Sequence, residues 1–211
     1  MSERVSIGVD GEGAARLALE RCVGEGGVVV FPADGLYGLA CDPLNTDAVE
    51  RIQALKGRDE RKPSAVMYFS PLAIRELVDD LGPRTRNAAA ALLPGPVTLV
   101  VTNRRRRYPL ACREDPERLG VRHIEGPLAG AMTPVLQTSA NPSGGTAPHR
   151  FADVAEDILA GADLAIDGGE LTGAPSTVVD LTELDSTGAW RVLRDGGLSR
   201  EALELALGDP D

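Results

Sequence analysis

The chain has 211 residues, 43% of them apolar and only 3% aromatic, with a formal net charge of −10. That is enough for one well-buried domain, or at most two small ones, around a core of Val, Leu, Ala and Ile. The acidity argues against generic nucleic-acid binding, and the few rings argue against a base-stacking platform, although a local basic cavity stays possible.

No run approaches the roughly 20 apolar residues of a membrane span. The opening MSERVSIGVDGEG has no apolar segment, so no secretion signal is expected. Cys22, Cys41 and Cys112 are odd in number and far apart, which fits neither a disulfide framework nor a zinc motif and predicts a reducing cytoplasm. With only His123 and His149, no protein-held metal is expected.

In chain order, AARLALERCVGEG reads as a helix ended by Gly24 and Gly26, and GGVVVFP as a buried strand stopping at Pro32. TDAVERIQALKG is a helix with Asn45 or Thr46 as N-cap and Gly57 past its end. SAVMYF is a strand, PLAIRELVDDLG a helix opened by Pro71, and TRNAAAALLPG a helix broken at Pro94. PVTLVVTN, LGVRHI and TPVLQTS are strands, and FADVAEDILAG is a helix. ADLAID, STVVDLT and WRVLRDG are late strands, and SREALELALG is a helix capped by Ser199. Early alternation and late clustering of strands predict one α/β domain with a twisted mixed sheet. It is expected to fill residues 1–211, with its core at about 14–208, and no linker or repeat is visible.

No P-loop, Rossmann turn, zincin helix or nucleophile elbow occurs. ALKGRDERKPSAVMY holds the only two lysines, Lys56 and Lys62, with Arg58 and Arg61. These groups either complement a helix C-terminus and stay solvated, or converge on phosphate or carboxylate. QTSANPSGG sets Ser139 and Asn141 two apart before a glycine turn, either an ordinary loop or one built for a ligand. Ser176 and Thr177 start a strand, where hydroxyls often bond local backbone. Arg191 and Arg194 should point to opposite faces of their strand, as should Arg122 and His123. His123 reads as structural or exposed, and Trp190 as core or a lid over an edge strand. The run Arg104–Arg107 reads more readily as a solvated connection than as a nucleic-acid patch.

Taken in order, GGVVVFPADGLYGLACDP, ALKGRDERKPSAVMY, LLPGPVTLVV, LGVRHIEGPLAGAM, QTSANPSGG, IDGG, PSTVVDLT and RVLRDG make the chain similar to the YrdC-like family. The best-known members of that family are threonylcarbamoyl-AMP synthases. The resemblance implies an open twisted sheet flanked by helices around a concave basic cavity. It implies that L-threonine, bicarbonate and ATP become threonylcarbamoyl-AMP and pyrophosphate, with Mg²⁺ carried on the phosphates. The product would serve the tRNA modification N6-threonylcarbamoyladenosine at position 37, through a transient encounter with tRNA or a transferase complex. Carried over by motif, Lys56 and Arg58 are the expected catalytic cations. Arg58, Lys62, Ser139, Asn141 and Arg194 are the expected ATP ligands. Lys56, Arg122, Ser139 and Ser176 are expected at threonine or the carbamate.

The chain also departs from the family pattern. Ala33 and Gly35 replace two threonines, Met67 a histidine, Pro175 a glutamate, Ala147 a serine and Lys62 an asparagine. The phosphate side is thus mostly kept and the amino-acid side altered. Two other readings follow: a YciO-like relative with an ATP site but weak threonine activity or a different amine substrate, and an RNA-binding module using Arg104–Arg107.

Overall fold

The structure is a computed structural model and describes residues 2–57 and 63–208. β1 (Glu3–Ser6), the helical turn α1 (Ile7–Asp10) and α2 (Glu12–Gly24) precede β2 (Val29–Pro32) and β3 (Tyr37–Cys41). Next come α3 (Thr46–Lys56), β4 (Ala65–Tyr68), α4 (Pro71–Asp79), α5 (Pro83–Leu92) and β5 (Val97–Thr102). The short α6 (Pro109–Cys112), β6 (Arg118–His123) and β7 (Val135–Ser139) follow. After a 3₁₀ turn at Phe151–Asp153 the chain runs through α7 (Glu156–Gly161), β8 (Leu164–Asp167), β9 (Thr177–Asp180), β10 (Arg191–Arg194) and α8 (Arg200–Leu207).

Local chemistry explains the boundaries. Asn45 accepts from the Ala48 N–H at the start of α3, and Gly57 closes its end in the left-handed region. Ser70 and Ser199 cap α4 and α8 through their hydroxyls. The expected helix over FADVAEDILAG is split, because Val154 and Ala155 are extended between the 3₁₀ turn and α7. β3 escapes the periodicity reading because all five of its residues are buried, so it shows no apolar–polar alternation.

The strands form one mixed sheet in the order β1-β8-β2-β3-β7-β4-β6-β5-β9-β10. One face carries Leu39, Val66, Tyr68, Leu99, Val121 and Val179, packed in the larger core beneath α3, α4, α5, α7 and α8. The other face has two halves. Phe31, Ala40, Met67 and Val135 pack with Leu19 and Val23 of α2 in a second core. Beyond them the same face turns small or polar: Ala65, Gly120, Arg122, Gln137, Ser139 and Thr98. Strand alternation therefore puts these side chains on one surface, and no helix among the described residues covers them.

Candidate active site

That uncovered surface is the floor of a cavity of about 630 Å³. Its rim comes from residues 141–147, after β7, and from 174–176, before β9. All the expected site residues within the described part of the chain line it: Lys56, Arg122, Ser139, Asn141, Ser176 and Arg194. Arg58 and Lys62 lie outside the described residues.

Lys56 is not a solvated helix end. It is 4% exposed, and its Nζ donates to the carbonyls of Ser139 and Asn141, the latter at 2.7 Å. In return, the Ser143 N–H donates to the Lys56 carbonyl at 2.7 Å. The end of α3 and the loop after β7 are thus one unit. Within that loop Asn141 Nδ2 donates to the carbonyls of Pro142 and Gly145, both at 2.7 Å, while Asn141 Oδ1 is buried without a partner.

Arg122 is 5% exposed. Its Nη1 donates to Gln137 Oε1 at 3.2 Å, its Nη2 lies 3.5 Å from Asp34 Oδ2, and its Nε is buried with no partner. Burial lowers its pKa to about 10, opposed by the Asp34 carboxylate and reinforced by Arg194. A buried guanidinium with an unserved N–H at a cavity wall is suited to an anion. His123 points to the opposite face, where burial lowers its pKa despite the nearby Glu125.

Arg194 corrects the expectation for β10. A bulge between Val192 and Arg194 pairs Arg191 with Asp180 and Arg194 with Val178. Asp180 and Val178 share a face of β9, so Arg191 and Arg194 share one too. Alternation alone had put them on opposite faces. Arg194 Nη2 donates to the Ser176 carbonyl at 2.8 Å and to its hydroxyl at 3.0 Å, and that hydroxyl also meets Thr98 Oγ1 at 2.9 Å. Beyond them, Asp180 Oδ2 accepts from Arg118 at 2.7 Å and from Arg191 at 2.9 Å.

The family model Sua5_yciO_yrdC, described as "Telomere recombination", matches residues 21–196. The chain belongs to this family. The threonylcarbamoyl-AMP synthase of Pyrococcus abyssi is 32% identical over 191 residues, covering 88% of this chain and 55% of that protein. The crystal structure of P. abyssi Sua5 complexed with L-threonine superposes with a TM-score of 0.83 at 30% identity, over 99% of this chain and 61% of that one. E. coli YciO superposes with a TM-score of 0.79 at 25% identity, over 96% of this chain and all of that one. The chain thus spans about half the length of the P. abyssi synthase and the whole of YciO.

Within this family member, sequence reasoning missed Gln137, Thr98, Asp115 and Arg118, all of which line the cavity. Gln137 could have been found, because it lies two residues before Ser139 on one strand face. Thr98, Asp115 and Arg118 carried no local signal. Of the departures from the family pattern, Ala33, Ala147 and Pro175 line the cavity. Met67 is fully buried in the second core. Gly35 packs so tightly that a Cβ there would lie 2.1 Å from the Ala174 carbonyl oxygen.

The arginine run lies away from the cavity, and three of its four members form ion pairs. Arg105 and Arg107 meet Asp80 at 2.9 and 2.7 Å, and Arg106 reaches Glu117. Among the described residues no cluster of three His, Cys, Asp or Glu could hold a metal. No helix among them is long and apolar enough to cross a membrane.

Proposed function

We propose that the chain is a threonylcarbamoyl-AMP synthase. The observation that carries the reading is the convergence of Arg122, Ser139, Asn141, Ser176 and Arg194 on one cavity, with two polar atoms buried and unserved on its wall. Arg122 would take the carboxylate of L-threonine through its free Nε–H. Arg194, with Arg58, would take the triphosphate. Lys56 holds the loop that carries Ser139 and Asn141, and its charge lies beside the carbamate or phosphates. In the reaction the threonine amine bonds to CO₂ derived from bicarbonate and loses a proton. A carbamate oxygen then attacks the α-phosphorus of ATP, and pyrophosphate leaves with the electron pair of the broken P–O bond. This chemistry calls for positioning and charge neutralisation more than for a protein nucleophile. Mg²⁺ would enter on the phosphates, and the product would pass to a tRNA-modifying transferase in the cytoplasm.

The experiment is pyrophosphate release with ATP, bicarbonate and a panel of amino acids. Release dependent on threonine supports the reading, and absence of release with every amine overturns it. A second reading is favoured by Ala33 and Pro175, which make that end of the cavity less polar, and by the likeness to YciO. It keeps the nucleotide and replaces threonine with another amine, and the same panel separates the two.

A further inference from the structure

Lys56, Arg118, Arg122 and Arg194 line the cavity, so its charged groups are mostly cations. The one carboxylate among the described lining residues, Asp115, lies 3.8 Å from the Arg118 guanidinium. Such a wall draws in a carboxylate, but it repels the ammonium that an α-amino acid carries on the next atom. One further carboxylate meets the site from its edge. Asp34 Oδ2 lies 3.5 Å from Arg122 Nη2, and nothing else among the described residues pairs with it.

The backbone places Asp34 there in an uncommon conformation. It sits in the turn between β2 and β3, where the Ala33 N–H donates to the Leu36 carbonyl at 2.9 Å. Its φ is +79°, a region that few side chains other than asparagine and aspartate enter. The turn is fastened on both sides. Arg122 Nη1 reaches the Ala33 carbonyl at 3.5 Å, and the Gly173 N–H donates to the Gly35 carbonyl at 2.9 Å. The Asp34 carboxylate is therefore held beside the buried guanidinium.

The pair does not complete itself. The contact is long and single, Arg122 Nε stays buried without an acceptor, and the Asp34 side chain is 36% exposed. Both partners keep room for a second ion. A carboxylate arriving alone at Arg122 would be set against Asp34 and repelled. A carboxylate with an ammonium on the adjacent carbon brings the neutralising charge to the same place.

We propose that Asp34 is a specificity residue: its carboxylate takes the α-ammonium of the incoming substrate while Arg122 takes the α-carboxylate, so the site admits α-amino acids and rejects acids that lack the amine. The inference deepens the reading that an amino acid occupies the Arg122 end, and rests on it. It concerns binding, before the amine loses its proton and becomes a carbamate.

Calorimetric titration without bicarbonate, with α,β-methylene-ATP in place of ATP, tests it. The ligands are L-threonine and 3-hydroxybutyrate, which is threonine without its amine. The proteins are the wild type and Asp34→Asn, which keeps the shape and suits a positive φ but carries no charge. The wild type should bind threonine about 10-fold or more tightly than 3-hydroxybutyrate. In Asp34→Asn threonine should weaken by about 10-fold, 3-hydroxybutyrate should not, and the ratio should fall to about one. A wild-type ratio of about one overturns the inference, as does a ratio that survives in Asp34→Asn. Tighter binding of both ligands by Asp34→Asn also overturns it, because Asp34 would then only shield Arg122. Where a different amino acid drives pyrophosphate release, that acid and its deaminated counterpart replace the pair. If no amino acid drives release, the functional reading fails first and this inference with it. The wild-type ratio needs no variant, and Asp34→Gly, unstrained at this φ, takes the place of Asp34→Asn if the latter does not fold.

Discussion

Lys56 Nζ donates to the backbone carbonyl of Asn141 at 2.7 Å, joining the last turn of α3 to the loop that follows β7. The contact spans 85 positions of sequence. It makes the ammonium a fastener for the cavity wall as well as a source of charge inside it.

Replacing Lys56 with Met should therefore cost stability as well as activity. The aliphatic chain is kept, but the carbonyls of Ser139 and Asn141 lose a charged donor, at about 2 kcal/mol. Urea unfolding should show the lower midpoint. Lys56→Arg should not restore it, because a planar fork cannot replace a compact ammonium. A wild-type midpoint for Lys56→Met would show that the contact is dispensable.

Arg194→Ala should raise the KM for ATP by about 10-fold or more, with little change in melting temperature, since β10 is an edge strand and Ser176 keeps its bond to Thr98. Steady-state pyrophosphate release at varied ATP measures it. An unchanged KM would remove Arg194 from the nucleotide site.

Ala substituted at Gly35 should destabilise the chain by about 1–3 kcal/mol, because its methyl would meet the Ala174 carbonyl oxygen. Relief would require the segment before Ser176 to shift, and the effect should appear in both thermal melting and amino-acid KM. Thermal melting equal to wild type would mean that the segment moves freely.

The pH dependence of stability should include a contribution from His123. Its folded pKa lies below the ordinary value, so the unfolded chain binds the proton more readily. The stabilising effect of the neutral ring is present above the unfolded value of about 6.5 and is lost as pH falls through the folded one. His123→Asn should flatten the loss of melting temperature between about pH 7 and 5. A slope equal to wild type would assign that loss to other groups.

Arg105→Ala and Arg106→Ala should each change stability by less than about 0.5 kcal/mol, as expected for exposed ion pairs. Neither should alter pyrophosphate release. A loss of tRNA affinity in these variants, measured across salt concentrations, would revive the RNA-binding reading.

Sequence alone determined what depends on neighbours along the chain. Asn45, Ser70 and Ser199 cap their helices through donors two or three residues away. Period-two alternation separated Arg122 from His123. The same alternation failed for Arg191 and Arg194, because one bulge inserts a residue and reverses the face of everything after it. Tertiary structure alone decided that Lys56 is buried, that Met67 belongs to the second core, that Asp80 and Glu117 pair with Arg105, Arg106 and Arg107, and that Asp180 joins Arg118 to Arg191. Each of these depends on residues from different strands and helices meeting in space. Side-chain periodicity records which way a residue faces, and says nothing of which distant partner it finds there.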